Sequence, residues 1–161
     1  MFARPLLALP LFCIAGSAAQ AQIVALGASS TAGYGVGQSA SFPTLLEKSL
    51  RARGRPMRVI NAGVSGDTTA GMLARLACNV PQGTKIVILQ IAGNERGASA
   101  AESAANRAEI RRRLHARGIR AIEADDLVLA ARRAGFQLPD HVHMTAEGHK
   151  RVADELAAQI R

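Results

Sequence analysis

Sulfur and aromatic side chains are scarce in this chain, and their scarcity excludes several kinds of protein. The 161 residues include two cysteines, one tyrosine and no tryptophan, and aromatic residues make up 3% of the sequence. So few aromatic rings leave no stacking surface for single-stranded nucleic acid, and nothing resembles a DNA-reading motif. We therefore expect no nucleic-acid partner.

Cys13 lies in a predicted leader, so Cys78 would be alone in the mature chain, and we expect it to be a small buried residue without chemistry.

The first 21 residues have the pattern of a secretory signal peptide. Arg4 gives a weakly positive start, Leu6–Ala15 is apolar, and Ala19-Gln20-Ala21 matches the small-x-small pattern of a cleavage site. The apolar stretch is short for a bilayer span, and the alternatives are a buried first helix or an uncleaved anchor. We predict a signal peptide over residues 1–21 and one domain over 22–161, exported to the periplasm or secreted.

Positive charge exceeds negative charge, with 20 Lys and Arg against 12 Asp and Glu and a formal net charge of +8. Much of the excess lies in Arg107–Arg120 and in Arg132-Arg133. We interpret these residues as a solvated helix face. Contact with an anionic lipid or cell-envelope surface is the alternative.

Short apolar runs alternate with helical patterns, which is typical of a parallel sheet covered by helices in an α/β fold. Strands are predicted at about 23–26, 58–61, 85–91 and 119–123. Helices are predicted at about 42–53, 70–76, 101–117, 127–133 and 146–160, the last with Thr145 as its N-cap.

Candidate catalytic residues follow three of these strands. Ser29 follows the first strand, Ser65-Gly66 the second and Gly93-Asn94 the third. Because ligands bind beyond the carboxyl ends of parallel strands, these residues are expected at one edge of the sheet. His143 precedes the last helix, which can return it to that edge.

Ser29 is the candidate nucleophile, since a serine hydroxyl attacks a carbonyl once a base takes its proton. The alternative is that Ser29 merely caps a turn. His143 is the candidate base, and Asp140, three residues earlier, can hold the far nitrogen of its imidazole ring. A metal site that pairs His141 with His143, near His149, is a weaker alternative.

Gly66 and Asn94 are the candidate oxyanion donors. A glycine lets its backbone N–H approach the substrate closely, and the asparagine amide adds a side-chain donor. The alternatives are that Gly66 is needed only for the conformation of a turn and that Asn94 only caps a loop. Ser65 lacks the Gly-x-Ser-x-Gly elbow pattern and is interpreted as a loop residue.

These segments together resemble the GDSL/SGNH hydrolases, and within them the bacterial arylesterase, thioesterase and lysophospholipase branch. The matching segments are Gly27–Gly35, Val59–Thr69, Ala92–Asn94, Asp140–His143 and Thr145–His149. The resemblance runs from Ile23 to the last helix. It implies a three-layer α/β/α, flavodoxin-like fold and no cofactor.

The resemblance also implies roles for individual residues. Ser29, His143 and Asp140 would form a catalytic triad. The backbone N–H groups of Ser29 and Gly66 and the side chain of Asn94 would form the oxyanion hole. The substrate would be a small-molecule or lipid ester, such as an acyl ester, a lysophospholipid or a thioester.

Three departures from the family pattern bear on activity. Gly27-Ala28-Ser29-Ser30 stands where Gly-Asp-Ser-Leu is usual, and Ala92-Gly93-Asn94-Glu95 stands where Gly-Gly-Asn-Asp is usual. The stretch from Asn94 to Asp140 is short, which predicts a shortened sheet and an open, shallow site with loose chain-length preference. The alternatives to a serine esterase are an O-deacetylase of envelope polysaccharide and a catalytically disabled binding scaffold.

Overall fold

A parallel sheet of four strands lies between two layers of helices in the computed structural model, which describes residues 23–91, 94–95 and 97–161. The predicted signal peptide lies outside the described residues, as do Ala92 and Gly93. The strands are β1 (Ile23–Gly27), β2 (Val59–Gly63), β3 (Ile86–Gln90) and β4 (Arg120–Glu123). The helices are α1 (Ser29–Ala32), α2 (Phe42–Ala52), α3 (Thr69–Asn79), α4 (Ala100–Ala116), α5 (Asp125–Arg133) and α6 (Ala146–Gln159), with a short 3-10 helix at Gln38–Ala40.

The strand order β2-β1-β3-β4 creates a natural binding crevice. All three strand pairs are parallel, and Ile23 of β1 lies opposite Val59 on one side and Ile86 on the other. The chain moves from β1 to β2 in one direction and then crosses to β3 on the opposite side of β1. Ligands of open α/β sheets bind at such a reversal, beyond the carboxyl ends of the strands. The site is therefore expected after Gly27 and Gln90.

The continuous apolar runs in β1 and β3 form strands because both faces of the sheet are covered. Ile23 and Ala25 of β1 pack in one hydrophobic cluster with α2, α5 and α6. Val24 and Leu26 point the other way into a second cluster with α3 and α4. This period-2 alternation gives the sheet two cores and confirms the predicted α/β class.

Side-chain caps determine where several helices begin. Thr145 accepts a hydrogen bond from the Gly148 N–H, which confirms the predicted N-cap of α6. Ser99 and Glu102 form a reciprocal capping box at α4. Such caps satisfy backbone N–H groups that have no partner within the helix.

Two features of individual elements were not predicted from the sequence. The segment after β1 contains α1 and the 3-10 helix, both too short to give a periodic signal. Cys78, expected to be buried, is exposed. The buried stripe of α3 runs through Thr69, Met72 and Leu76, and Cys78 lies two positions beyond that stripe, on the solvent side.

The arginine-rich helix α4 has a largely solvated face, as expected. Its buried residues are Ser103, Ile110 and Leu114. Arg112 and Arg113 both pair with Glu109 on the exposed surface. Within the described part of the chain, no helix has the length and apolar character needed to cross a membrane.

Candidate active site

Ser29 lies at the sharp turn where β1 passes into α1. A Cβ atom added to Gly27 would lie 2.1 Å from Thr31 Oγ1 and 2.8 Å from the Gln90 carbonyl oxygen, so no larger residue fits there. Ser29 is the first residue of α1. The turn thus brings the serine hydroxyl directly to the carboxyl edge of the sheet.

The structure brings Ser29, His143 and Asp140 together in a chain of hydrogen bonds. His143 Nε2 lies 3.0 Å from Ser29 Oγ, and His143 Nδ1 lies 2.7 Å from Asp140 Oδ2. The imidazole therefore connects a hydroxyl and a carboxylate that are 111 positions apart in the sequence. This geometry suits proton transfer from serine to histidine.

The loop that carries His143 is held by the same carboxylate. Asp140 Oδ1 accepts hydrogen bonds from the backbone N–H groups of Val142 and His143, both at 2.9 Å. The His143 N–H, followed by its imidazole and the Val142 N–H, holds the pKa of Asp140 far below its usual range. His141 adopts a left-handed φ of 57°, and its carbonyl accepts a hydrogen bond from Arg132 Nη2 at 3.0 Å. The carboxylate is therefore ionised and fixed at neutral pH.

A buried polar network that was not predicted from the sequence supports the turn at Ser29. Gln90 Oε1 accepts hydrogen bonds from the Ala28 N–H and from Thr31 Oγ1, both at 3.3 Å. Asp125 Oδ1 accepts from the Ile91 N–H at 2.9 Å. The sequence signal that could have predicted this network is Gln90, a polar residue at the end of an otherwise apolar strand. Although Ala28 carries no carboxylate, the Gln90 amide holds the turn.

A cavity of about 260 Å³ opens beside Ser29 and includes Asn94 in its wall. Its other lining residues are Ser30, Gln90, Asp125, Asp126, Val128, Leu129, Arg132 and Val142. The neighbouring Glu95 is anchored to the start of α3, because its carboxylate accepts from the Thr69 N–H at 2.9 Å and from Thr69 Oγ1 at 3.1 Å. Asn94 thus faces the same space as Ser29 from the exit of β3.

Gly66 lies in the exposed turn after β2, with a φ of +79° that favours glycine. The start of this loop is joined to β1, because the Val64 N–H donates to the Gly27 carbonyl at 3.0 Å. Arg75 adds a second connection, since it binds Asp67 Oδ2 at 2.7 Å and the Gly27 carbonyl at 3.1 Å. The loop of Gly66 is therefore tied to the strand that precedes Ser29. Ser65 is exposed in the same turn, consistent with a loop residue.

The histidines outside this hydrogen-bonded chain do not assemble into a metal site. His141 is exposed, whereas His149 is fully buried, and its Nδ1 accepts a hydrogen bond from the Phe42 N–H at 3.2 Å. Burial, followed by the charge of His143, lowers the pKa of His149 to about 4. Over the described ranges, no group of three or more His, Cys, Asp or Glu side chains is placed to hold a metal ion. The geometry thus disfavours pairing of His141 with His143 around a metal.

Comparisons with known proteins agree on one family. The sequence profile of the GDSL-like Lipase/Acylhydrolase family matches residues 25–132. The chain is 34% identical over 155 residues to Esterase TesA from Pseudomonas aeruginosa, covering 94% of this chain and 72% of TesA.

The solved structures that resemble this chain are also esterases. The SGNH-hydrolase family esterase AlinE4 is 40% identical with a TM-score of 0.59, over 63% of this chain and 56% of AlinE4. The psychrotrophic esterase EstA from Pseudoalteromonas sp. is 20% identical with a TM-score of 0.75, over 86% of this chain and 95% of EstA. At that identity the likeness to EstA shows the fold alone.

Proposed function

Because the chain belongs to the GDSL-like lipase/acylhydrolase family of ester-hydrolysing enzymes, we propose that it is a serine esterase with Ser29 as nucleophile. The observation that carries this proposal is the hydrogen-bonded chain from Ser29 Oγ through His143 to Asp140, with distances of 3.0 and 2.7 Å. A serine hydroxyl that merely caps a turn has no need of an imidazole aligned by a carboxylate.

The reaction proceeds in two halves through an acyl-enzyme. His143 Nε2 takes the proton of Ser29 as Oγ bonds to the ester carbonyl carbon, and the carbonyl becomes a tetrahedral oxyanion. The intermediate collapses as the C–O bond of an ester or the C–S bond of a thioester breaks, and the imidazolium gives its proton to the leaving alkoxide or thiolate. A water molecule then repeats the sequence, with His143 as its base, and releases the carboxylic acid and free Ser29.

Asp140 acts on His143 throughout this cycle. Its ionised carboxylate accepts the Nδ1–H, which leaves Nε2 unprotonated and able to accept the serine proton. The same negative charge stabilises the imidazolium that forms in both halves. The lowered pKa of Asp140 keeps this charge in place across the neutral range.

The oxyanion is stabilised by donors from three loops in this proposal. The backbone N–H groups of Ser29 and Gly66 and the side-chain amide of Asn94 converge from the exits of β1, β2 and β3. Donors fixed before the reaction stabilise developing charge without reorganising. Asn94 lines the Ser29 cavity, and Gly66 has no Cβ to obstruct its N–H.

The substrate is a small-molecule or lipid ester whose acyl group occupies the cavity beside Ser29. At about 260 Å³ this cavity lies below the usual range of small-molecule pockets. We therefore propose short acyl groups as the preferred substrates, a narrower preference than the sequence alone predicts. We also propose that the protein is exported, which N-terminal sequencing of the mature protein tests. A start at Gln22 supports export, and an intact Met1 in the envelope fraction contradicts cleavage.

The serine mechanism is tested by hydrolysis of p-nitrophenyl acetate, butyrate and octanoate. The protein is compared with Ser29→Ala and with Ser65→Ala, a matched control in a neighbouring exposed turn. We expect turnover to be greatest with acetate, to vanish in Ser29→Ala and to persist in Ser65→Ala. Full turnover by Ser29→Ala would overturn the mechanism. Absence of turnover with every ester would favour the alternative of a disabled scaffold or a narrow polysaccharide deacetylase.

A further inference from the structure

We propose that Tyr34 is a positioning residue for the reaction, one that holds the His143 imidazole beside Ser29 and stabilises its cationic form. This inference rests on the proposed function. Tyr34 is the single tyrosine of the chain, and the hydrogen-bonded chain of Ser29, His143 and Asp140 assigns it no role.

The contact between the two rings has the geometry of an aromatic–cation pair. The ring centroids of Tyr34 and His143 lie 4.3 Å apart with an interplanar angle of 33°. The face of a phenol ring is electronegative and attracts a cation within about 6 Å of its centroid. The imidazolium that forms when Ser29 loses its proton is therefore attracted to this ring more strongly than the neutral imidazole.

The backbone joins Tyr34 to the nucleophile rather than leaving it on a free loop. The Gly33 and Tyr34 N–H groups both donate to the Ser29 carbonyl at 3.0 Å. The reversal requires a left-handed φ of +85° at Gly33, where a Cβ atom would lie 2.8 Å from the Gly37 carbonyl oxygen. These two hydrogen bonds thus hold the Tyr34 backbone close to Ser29.

The loop of Tyr34 also touches the loop of His143 at a second point. A Cβ atom on Gly35 would lie 2.4 Å from Cδ1 of Leu138, so the Leu138 side chain packs directly against the backbone of the Tyr34 loop. The Leu138 N–H in turn donates a hydrogen bond to the His143 carbonyl at 2.8 Å. The ring contact is therefore part of an interface between the loops.

Other groups that face His143 act on different parts of its ring. Asp140 binds Nδ1, and Ser29 lies on Nε2. His149 of α6 lies near enough for the charge of His143 to help lower its pKa to about 4. His149 is therefore neutral at the pH of the assay. Tyr34 occupies a ring face. It is 53% exposed, so its effect is that of a partly solvated pair.

Substitution of Tyr34 separates the ring's electrostatic effect from simple packing. Tyr34→Phe keeps the ring face, whereas Tyr34→Leu keeps apolar bulk without it. We expect kcat/KM for p-nitrophenyl acetate to fall about 3- to 5-fold in Tyr34→Leu, mostly through kcat, and to be largely retained in Tyr34→Phe. The acid limb of the pH profile should move to lower pH in Tyr34→Leu, because the protonated imidazole has lost a stabilising contact.

Two kinetic outcomes would overturn the proposal. An unchanged kcat and acid limb in Tyr34→Leu would mean that the ring does not act on His143. An equal loss in Tyr34→Phe would assign the effect to the hydroxyl. Either result leaves Ser29 as nucleophile intact, whereas retained turnover in Ser29→Ala would defeat the proposed function itself.

Fluorescence gives an independent measurement that does not depend on turnover. The chain has no tryptophan, so its tyrosine emission comes from Tyr34 alone. An imidazolium quenches an adjacent phenol more strongly than a neutral imidazole. We expect emission to fall as pH decreases through the acid limb of the kinetic profile, and this step to disappear in His143→Gln. Absence of the step, or its persistence in His143→Gln, would contradict the proposal.

Discussion

Replacement of His149 by asparagine removes a fully buried titratable ring and leaves an acceptor for the Phe42 N–H. Burial, followed by the charge of His143, lowers the pKa of His149 from its ordinary 6.5 to about 4. The unfolded chain therefore binds a proton at this histidine between pH 6.5 and 4, whereas the folded chain does not. Stability from this residue is fully present above pH 6.5 and is lost as pH falls through that window.

The size of the loss follows from the two pKa values. Between pH 7 and pH 5, proton uptake by the unfolded state at a site of this kind lowers the free energy of unfolding by about 2 kcal/mol. Groups whose pKa is held below the usual carboxylate range, such as Asp140 and Glu109, lose their stabilising ionisation only at lower pH. Among the groups with perturbed pKa values, His149 therefore accounts for most of the change in the free energy of unfolding between pH 7 and pH 5.

Urea denaturation at pH 7 and pH 5 measures the effect in the protein and in His149→Asn. The variant starts from a lower stability because it packs less well, so the quantity to compare is the change with pH. We expect the protein to lose about 2 kcal/mol more than His149→Asn over this interval. Equal losses in both would refute the assignment of acid sensitivity to this buried ring.

Two further predictions concern the proposed chemistry. Asp140→Asn keeps an acceptor for the two backbone N–H groups of its loop but cannot accept the Nδ1–H of His143. We expect kcat to fall about 10⁴-fold while the circular dichroism spectrum stays unchanged, and a loss below tenfold would contradict the role of the carboxylate. Asn94→Ala removes an oxyanion donor, and steady-state kinetics should show kcat lowered about 10²- to 10³-fold with little change in KM. A rise in KM at constant kcat would assign Asn94 to ground-state binding instead.

Three of the site residues predicted from the sequence, Ser29, Gly66 and Asn94, follow the ends of strands. Ile86–Gln90 is apolar enough to be read as a strand buried on both faces, and Ser29 and Asn94 follow from the parallel order of such strands. The spacing of Asp140 and His143 places both in one loop. Predictions of this kind need only periodicity and the direction of the chain.

The features that were missed depend on contacts between distant segments. Gln90 supports the Ala28 turn from 62 residues away, and Tyr34 reaches His143 only because two loops converge. No local pattern encodes either contact. Cys78 illustrates a different limit, since the helix phase that places it toward solvent is set by which residues of α3 pack on the sheet.

The proposed nucleophile is tested most directly by labelling with a fluorophosphonate, which reacts with a serine activated by a neighbouring base. Mass spectrometry of the intact protein and of its peptides would locate the label. We predict one equivalent on Ser29, no label in Ser29→Ala and much slower labelling in Asp140→Asn. Label on Ser30 or Ser65, or ester turnover by a protein that takes up no label, would contradict Ser29 as the nucleophile.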